Sequence, residues 1–314
     1  MIRIHFINVG HGDCIIVEFK DTNRVAVIDI NKTNDMDETT KNELLTEAFS
    51  KLPTLYELQY STGLISMERV LTNAGYNIQP QNPINYMNDN KIGKVFRFIS
   101  THPHMDHLTG IKELKDRKGI GTLWISSNNH TQDKSELTDS QKDDWKFYKK
   151  YRDTNEYLLD GVYTIRPKAG DSRSFWNEDN MTILAPDPEL LKNSNPNNLS
   201  YVLLIKYGGK KIVLGGDAEK DAWDYIMDNY SNLIKDVSVL KASHHGRDSG
   251  YHRNAVKHMN PMYTIVSVGK KPSKDASNKY RQYSDNVWST RWKGNIMFEI
   301  QSDGNWSYWT QYDR

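Results

Sequence analysis

The pattern of hydrophobic and polar residues along the chain predicts many short strands and fewer helices. Near the start, segment 2–7 alternates and the runs 14–19 and 25–30 are mostly apolar, so three successive strands are expected. Further runs typical of strands are 95–100, 122–126, 162–165, 179–186, 197–207, 212–217, 237–243, 263–268, 295–300 and 306–310. Aromatic residues at helical intervals predict a surface helix within 130–153. The pattern is that of an α/β protein.

Residues 31–94 interrupt this alternation. Two sets of apolar residues have helical spacing, and the second predicted helix ends near Gly75. The segment 77–90 is rich in Asn, Gln and Pro, so an extended loop is expected there. We interpret 31–94 as a helical element inserted into a single domain that spans 1–314. It could cover one side of a functional site, pack as an appendage or form a dimer contact.

Composition places few limits on function. The chain has 314 residues, enough for a large core, and 41 Lys and Arg balance 40 Asp and Glu. This balance requires neither a nucleic-acid nor a membrane partner. The single cysteine, Cys14, excludes an internal disulfide framework, so a reducing, cytoplasmic location is expected. Neither a signal peptide nor a transmembrane helix is expected, because no basic leader precedes an apolar run and no run approaches about eighteen apolar residues.

One short segment concentrates chemistry. His102, His104, Asp106 and His107 lie between the strand-like run 95–100 and a helical pattern that starts at Leu108. Imidazole and carboxylate groups are common ligands of zinc and similar ions, and loops at strand ends commonly hold ligand sites. The alternative is a polar surface loop with chance histidines. Because the whole chain has only ten histidines, we favour a metal site.

Two later strand ends carry similar residues. Gly215 and Gly216 precede Asp217, which could be a ligand or a helix cap. His244 and His245 follow another predicted strand. Adjacent strand residues point in opposite directions, so the two histidines do not easily bind one ion. We favour His244 as a ligand and His245 as a second contact.

These motifs resemble those of a known family. His102-x-His104-x-Asp106-His107 resembles the HxHxDH signature of the metallo-β-lactamase superfamily. The turn 8–13, Asn-Val-Gly-His-Gly-Asp, is similar to the DVGQGD turn of the metallo-β-lactamase-like domain in the ComEC DNA-uptake proteins. The Asn-x-Ser of 198–200, the hairpin before Asp217 and the pattern LK-x-x-HHG at 240–246 resemble the same domain. This resemblance implies a four-layer αβ/βα sandwich with metal ions at one edge.

The resemblance also implies a dinuclear site. His102 and His104 would hold a first ion, and Asp106, His107 and His244 a second, with Asp217 between them. Zinc is expected and manganese is an alternative. Water on such ions loses its proton near about pH 7 instead of 15.7, and the resulting hydroxide attacks the substrate. Asp106 could orient this hydroxide, and His245 could bind or protonate the substrate.

Other ligands and supporting groups stay open at this point. The superfamily commonly gives the first ion a third histidine, and the interval before Asp217 offers only His130, in a polar stretch. Asn198 or Ser200, or substrate and water, could fill that position. Asp13 and Asp29 are expected to orient ligand imidazoles, although both could simply form turns. His11 is expected to face solvent.

By resemblance, a phosphodiester in nucleic acid or in a nucleotide is the favoured substrate. Candidate phosphate contacts are Lys210, Lys211, Lys241, Arg247, Lys270, Lys271 and Lys274, and candidate stacking residues are Trp288, Trp292, Trp306 and Trp309. The alternative is that these lysines are solvated and the tryptophans pack the closing hairpin. The family's Gly-His-Pro after the Ser-Val-Gly strand is missing. A carboxyl-ester, lactone or lactam hydrolase and a non-catalytic metal-binding module are the other hypotheses. Neither a membrane partner nor a role in DNA uptake is inferred, and the oligomeric state stays open.

Overall fold

The architecture consists of two β-sheets with helices on their outer faces, as the sequence predicts. The computed structural model describes residues 1–33, 36, 38–76, 80–269 and 274–312. The strands are β1 Ile2–Phe6, β2 Ile15–Phe19, β3 Arg24–Ile28, β4 Val95–Ser100, β5 Ile120–Ile125, β6 Leu158–Leu159, β7 Val162–Ile165, β8 Met181–Ala185, β9 Val202–Tyr207, β10 Lys210–Leu214, β11 Val239–Lys241, β12 Tyr263–Val266, β13 Asn286–Ser289, β14 Ile296–Ile300 and β15 Trp306–Thr310. The helices are α1 Glu38–Lys51, α2 Thr54–Ser61, α3 Met67–Asn73, α4 Pro83–Asp89, α5 Ile111–Lys118, α6 Asp139–Arg152, α7 Ser174–Glu178, α8 Lys220–Tyr230, α9 Arg253–Met259, α10 Ser277–Tyr280 and α11 Thr290–Lys293.

The strand order of each sheet brings the motif-bearing strands to its middle. The nine-stranded sheet has the order β15-β14-β1-β2-β3-β4-β5-β7-β6, and the six-stranded sheet has the order β13-β12-β11-β10-β9-β8. In the first sheet β3, β4 and β5 run parallel, and in the second β10, β11, β12 and β13 do. Parallel neighbours end at the same edge of a sheet, so the loops after β3 and β4, and those after β10 and β11, are brought together.

The hydrophobic core consists of three main clusters of buried residues, one between the two sheets and one on the outer face of each sheet. Phe6 and Trp124 of the first sheet pack against Leu203 of the second in the space between the sheets. Buried residues of α5 and α6 cover the outer face of the first sheet, and those of α8 and α9 cover the outer face of the second. Together the layers form an αβ/βα sandwich. None of the helices in the described part of the chain has the length and apolar character needed to cross a bilayer.

The inserted segment is helical, but it differs in detail from the expectation. Helices α1 and α3 share a small core of their own, against which Trp292 packs. The extended loop expected over 77–90 is wrong for Pro83–Asp89, which forms α4. Asn82 caps this helix by accepting hydrogen bonds from the Ile84 and Asn85 amides, and proline is well suited to the first helical position. Residues 77–79 of that expected loop lie outside the described part of the chain.

Candidate metal centre

Three loops at strand ends carry the clustered polar residues. β4 ends at Ser100 and is followed by the loop that contains His102, His104, Asp106 and His107. β10 ends at Leu214, three residues before Asp217. β11 ends at Lys241, shortly before the two adjacent histidines. The sheets therefore bring together side chains that are more than a hundred residues apart in the sequence.

Four side chains surround one point of this centre. His245 Nε2 lies 3.2 Å from Asp106 Oδ2 and 3.5 Å from Asp217 Oδ2. His107 Nε2 lies 3.4 Å from the same Asp217 oxygen and 3.8 Å from the same Asp106 oxygen. Two donors that bind one zinc ion tetrahedrally, with bonds of about 2.0–2.1 Å, are about 3.4 Å apart. The donors of His107, Asp217 and His245 therefore have spacings that fit one divalent ion, and Asp106 approaches the same point beside His245.

The unsatisfied polar atoms of the centre support the same conclusion. His107 Nε2, His245 Nε2 and Asp217 Oδ1 are buried and have no hydrogen-bond partner among the described residues. Buried polar atoms without a partner are rare in folded proteins, because each costs about 1–3 kcal/mol of desolvation. A cation at this point would satisfy the two imidazole nitrogens and would be held by the Asp217 carboxylate. The residues present thus fit a metal ion.

His102 and His104 form a second, less complete group. His102 Nε2 lies 3.0 Å from His104 Nδ1 and 3.7 Å from Asp217 Oδ2. Asp217 is therefore the carboxylate that both groups approach. The ring of His130 lies 5.2 Å from that of His104 and also contacts Trp145. His130 stands in a polar stretch of the sequence that does not mark a strand end, but it lies in the loop that follows β5.

Asn198 and Ser200 lie near the centre but use their side-chain oxygens elsewhere. Asn198 Oδ1 accepts hydrogen bonds from the Glu219 and Ala222 amides, and it thereby holds the start of α8. Ser200 Oγ accepts a hydrogen bond from the Asp217 amide at 3.1 Å. These contacts orient the loop that carries Asp217. They do not favour either residue as the missing ligand of the first ion.

Asp29 lies behind His107, where the sequence analysis places it. His107 Nδ1 donates a hydrogen bond to Asp29 Oδ2 at 2.7 Å, which leaves the unpaired Nε2 directed at the centre. The Thr101 amide and hydroxyl hold the same carboxylate at 2.7 and 2.6 Å. A carboxylate in this position fixes the tautomer and the orientation of an imidazole ligand.

Asp13 also lies beneath the centre, but its main partner is a buried cation. The ammonium group of Lys241 forms an ion pair with Asp13 Oδ2 and donates to the Gly216 carbonyl at 3.2 Å. Asp13 Oδ1 lies 3.8 Å from His245 Nδ1, which donates instead to the Ser267 carbonyl at 3.0 Å. Lys241 is fully buried. Its proposed contact with a substrate phosphate is therefore wrong, because its ammonium group is already paired inside the protein.

The geometry of the two adjacent histidines favours roles opposite to those expected. His245 is 1% exposed and contributes the free Nε2 described above, whereas His244 lies at the rim. His244 Nδ1 is 3.0 Å from Glu219 Oε1 and 2.8 Å from Ser249 Oγ, and its Nε2 is 3.9 Å from Asp217 Oδ2. The geometry favours His245 as the ligand and His244 as the outer contact. Both residues have left-handed backbones, with φ of 49° and 53°, so the opposite-pointing rule for strands does not apply.

Glu219 is a residue that the sequence analysis missed. Its carboxylate accepts hydrogen bonds from the side-chain amides of Asn195 and Asn197, at 2.7 and 3.0 Å. These two hydrogen bonds fix the orientation of the Glu219 carboxylate that contacts the His244 ring. The only signal in the sequence was its position two residues after Asp217.

The charges of the centre shift the ionisation of its members. Burial alone would raise the pKa of Asp217, but His245, His107 and His102 hold this pKa well below its usual value. Burial opposes the charge on His107, yet Asp217, Asp106 and Asp29 raise the pKa of His107 well above its usual value. The pKa of His102, in contrast, is lowered, first by burial and then by His107. The negative charges of these three carboxylates are thus balanced by the neighbouring imidazoles, a role that a bound cation could take.

Arg247 lies at the rim beside His244. Its Nε is buried and has no hydrogen-bond partner among the described residues. Burial lowers the pKa of His244, and the charges of His245 and Arg247 act in the same direction. The guanidinium group is therefore close enough to influence the centre, and it retains an unused donor.

Most other candidate phosphate and stacking residues lie elsewhere. Lys210 and Lys211 are at the start of β10, the end opposite Asp217, where Lys210 packs over the Trp306 ring. Trp288 and Trp306 belong to an aromatic cluster around Phe298, so they pack the closing hairpin. Trp292 packs against the inserted helices, Trp309 is partly exposed on the edge strand, and Lys274 is exposed. Lys270 and Lys271 lie outside the described residues.

The chain is similar to several known proteins. Residues 95–268 match the family described as the metallo-beta-lactamase superfamily. ComE operon protein 3 of Bacillus subtilis is 30% identical over 135 residues, which cover 41% of this chain and 16% of that protein. The metallo hydrolase Igni18 from Ignicoccus hospitalis superposes with a TM-score of 0.45 at 14% identity, covering 98% of both chains. Yeast PDE1 superposes with a TM-score of 0.42 at 12% identity, covering 95% of this chain and 99% of that one.

Proposed function

Since this chain belongs to the metallo-beta-lactamase superfamily, we propose that it is a metal-dependent hydrolase of phosphodiester bonds in nucleic acid or in a nucleotide. Asp106, His107, Asp217 and His245 would hold one divalent ion, and His102 and His104 would hold another that also reaches Asp217. Zinc is the expected metal and manganese the alternative. Bound ions would supply Lewis acidity and lower the pKa of a water molecule.

The position of Arg247 at the rim of the metal centre is the observation that supports this substrate class. The guanidinium group of Arg247 is partly exposed and lies near enough to His244 to lower the pKa of that ring, so it can offer its charge and its planar donors to a phosphate oxygen. A lactam or ester carbonyl carries no full negative charge and would gain less from this contact. Arg247 therefore supports a phosphodiester over those alternatives.

His244 would make the second substrate contact. Because Glu219 and Ser249 hold its Nδ1, its Nε2 is free on the side that faces Asp217. We assign to this atom a hydrogen bond with a substrate oxygen. Asp106 is 30% exposed and lies on the open side of the centre, where it can orient a nucleophilic water. The buried pair Asp13–Lys241 would hold the floor of the site in place.

The test is a substrate panel measured with protein loaded with Zn²⁺ or Mn²⁺. It includes bis-p-nitrophenyl phosphate, single-stranded DNA, a cyclic dinucleotide, nitrocefin and a p-nitrophenyl carboxyl ester, with D217N as the inactive control. We expect turnover of at least one phosphodiester and none of the lactam or the ester. Turnover of the lactam or ester alone would overturn the proposed substrate class, and no turnover by the metal-loaded protein would favour a binding module.

Arg247 variants test the phosphate contact separately. We expect R247A to raise KM for the phosphodiester by about tenfold, in keeping with the 1.5–3 kcal/mol of a charged hydrogen bond. R247K, which keeps the charge but not the planar fork, should be intermediate. Metal content should stay that of the wild type in both variants. Unchanged KM in R247A would remove the observation that supports a phosphodiester.

A further inference from the structure

His11 lies on the turn between β1 and β2, which is fixed against the histidine loop. The Asp13 amide donates to the Asp106 carbonyl at 3.2 Å, and the side-chain amide of Asn31 donates to the His11 carbonyl. Gly12 has φ of 123°, and a Cβ there would overlap the Asp106 carbonyl oxygen. This close approach places the side chain of His11 over the metal centre, whereas the sequence analysis expected it to face solvent.

The contacts of His11 are those of a candidate ligand. Its Nε2 lies 3.7 Å from Asp106 Oδ2, and its ring centroid lies 4.8 Å from that of His245. Donor atoms of His11, Asp106 and His245 all lie within 4.8 Å of one another. Its other nitrogen, Nδ1, is buried and has no hydrogen-bond partner among the described residues. No hydrogen bond thus explains why this ring is held here.

We propose that His11 supplies an additional nitrogen ligand to the ion held by Asp106 and His245. His245 has only Nε2 to offer, because its Nδ1 donates to the Ser267 carbonyl. An ion that reaches both His11 and His245 is therefore the same ion that His107 and Asp217 approach. This position then has five protein donors: His11, Asp106, His107, Asp217 and His245.

Glutamine is a suitable replacement with which to test this assignment, since it is close to histidine in size. An amide oxygen is a harder and weaker donor than an imidazole for zinc, cobalt and iron. The inference depends on the metal centre of the proposed function, but it does not depend on the substrate. A fifth donor would also leave fewer open positions at this ion than at the one near His102.

The test compares the wild type with H11Q, and it reads metal binding instead of turnover. Metal-free protein is titrated with Co²⁺ by calorimetry, and the visible absorption of the bound Co²⁺ is recorded, since its intensity reports the number of ligands. We expect H11Q to weaken one of two binding events by about tenfold or more, because even groups behind a ligand contribute 10–100-fold. The Co²⁺ absorption should become stronger as the coordination number falls.

H252Q is the matched control, because His252 pairs with Asp224 on the helical side of the second sheet. It should leave both binding events and the absorption unchanged, and circular dichroism of the metal-free variants should show that both are folded. Unchanged Co²⁺ affinity and absorption in H11Q would overturn the proposal. If KM alone rises in H11Q, His11 is a substrate contact and not a ligand. Failure of every phosphodiester substrate would not affect these metal readouts.

Discussion

The two halves of the metal centre differ in how completely the protein has built them. Around Asp106, His107 and His245, the donors are fixed from behind by Asp29 and by the Ser267 carbonyl. Around His102 and His104, Thr101 Oγ1 lies 3.1 Å from His102 Nδ1, the two rings contact each other, and His104 is partly exposed. Both imidazoles of the first group would be held before an ion arrives, whereas in the second group the ring of His104 has only His102 as a hydrogen-bond partner among the described residues. Preorganised ligands bind more tightly, so the two positions should differ in affinity.

Removing a ligand from the complete half should have the largest effect. H245A deletes a donor 3.2 Å from Asp106 Oδ2 and 3.5 Å from Asp217 Oδ2. We expect one metal equivalent to be lost and kcat/KM to fall by more than the roughly 100-fold that loss of a supporting group costs. Metal analysis and steady-state kinetics give the two values.

H244A is the control for H245A, since it alters the neighbouring ring. We expect it to keep the metal content and mainly raise KM. If H244A released an ion while H245A did not, the assignment of the two histidines made from the structure would have to be exchanged.

Stepwise removal of metal should show the next largest effect, a difference in affinity between the two metal positions. The protein, loaded with two equivalents, is dialysed against increasing concentrations of a mild chelator, and the remaining metal is measured. We expect the content to stop near one equivalent before it reaches zero, because the His102–His104 position has fewer donors. H104A should abolish the equivalent that is lost first and keep the other. Loss of both equivalents in one step, in the wild type, would show that the two halves are equal.

A smaller change should follow from altering the support of His107. D29N keeps the size of the side chain but removes the negative charge of the carboxylate whose Oδ2 accepts a hydrogen bond from His107 Nδ1 at 2.7 Å. Metal affinity at the complete half should fall 10–100-fold, as measured by calorimetry. D21N, a change in an exposed carboxylate far from the centre, should have no effect on either ion. An unchanged affinity in D29N would mean that this carboxylate only closes the turn.

The smallest effect is expected from the loop that carries Asp217. N198A removes the acceptor of the Glu219 and Ala222 amides at the start of α8. The free energy of unfolding should fall by about 1 kcal/mol, the usual value for a helix cap, while the metal content stays the same. Urea denaturation of the metal-free protein measures the first and metal analysis the second. Loss of an ion in N198A would make Asn198 a ligand after all.

The fold could be predicted from the sequence, and so could the clustering of most residues of the candidate metal centre. The motif that begins at His102 and the carboxylate of Asp217 follow strands whose apolar pattern is clear, so both the strands and the loops could be predicted. The family resemblance is confirmed by the match of residues 95–268.

The order of the two histidines could not be predicted, because it depends on two left-handed backbones in succession. A strand pattern says nothing about such a turn. Lys241 was misplaced for a similar reason, since a lysine beside a histidine pair looks accessible until its burial is known. In α4, by contrast, Asn82 and Pro83 were the signals of a helix start, and the surrounding polar residues concealed them.

Asp106 and His107 come from one sheet, and Asp217 and His245 come from the other. A cation shared by these side chains would act as a crosslink between the two faces of the sandwich. Because unfolding would release the cation, the melting temperature should rise with the concentration of free ion. At a free-ion concentration 100 times the dissociation constant, the free energy of unfolding should be greater by about 2.7 kcal/mol. The cation that serves hydrolysis would then also stabilise the packing of the two sheets against each other.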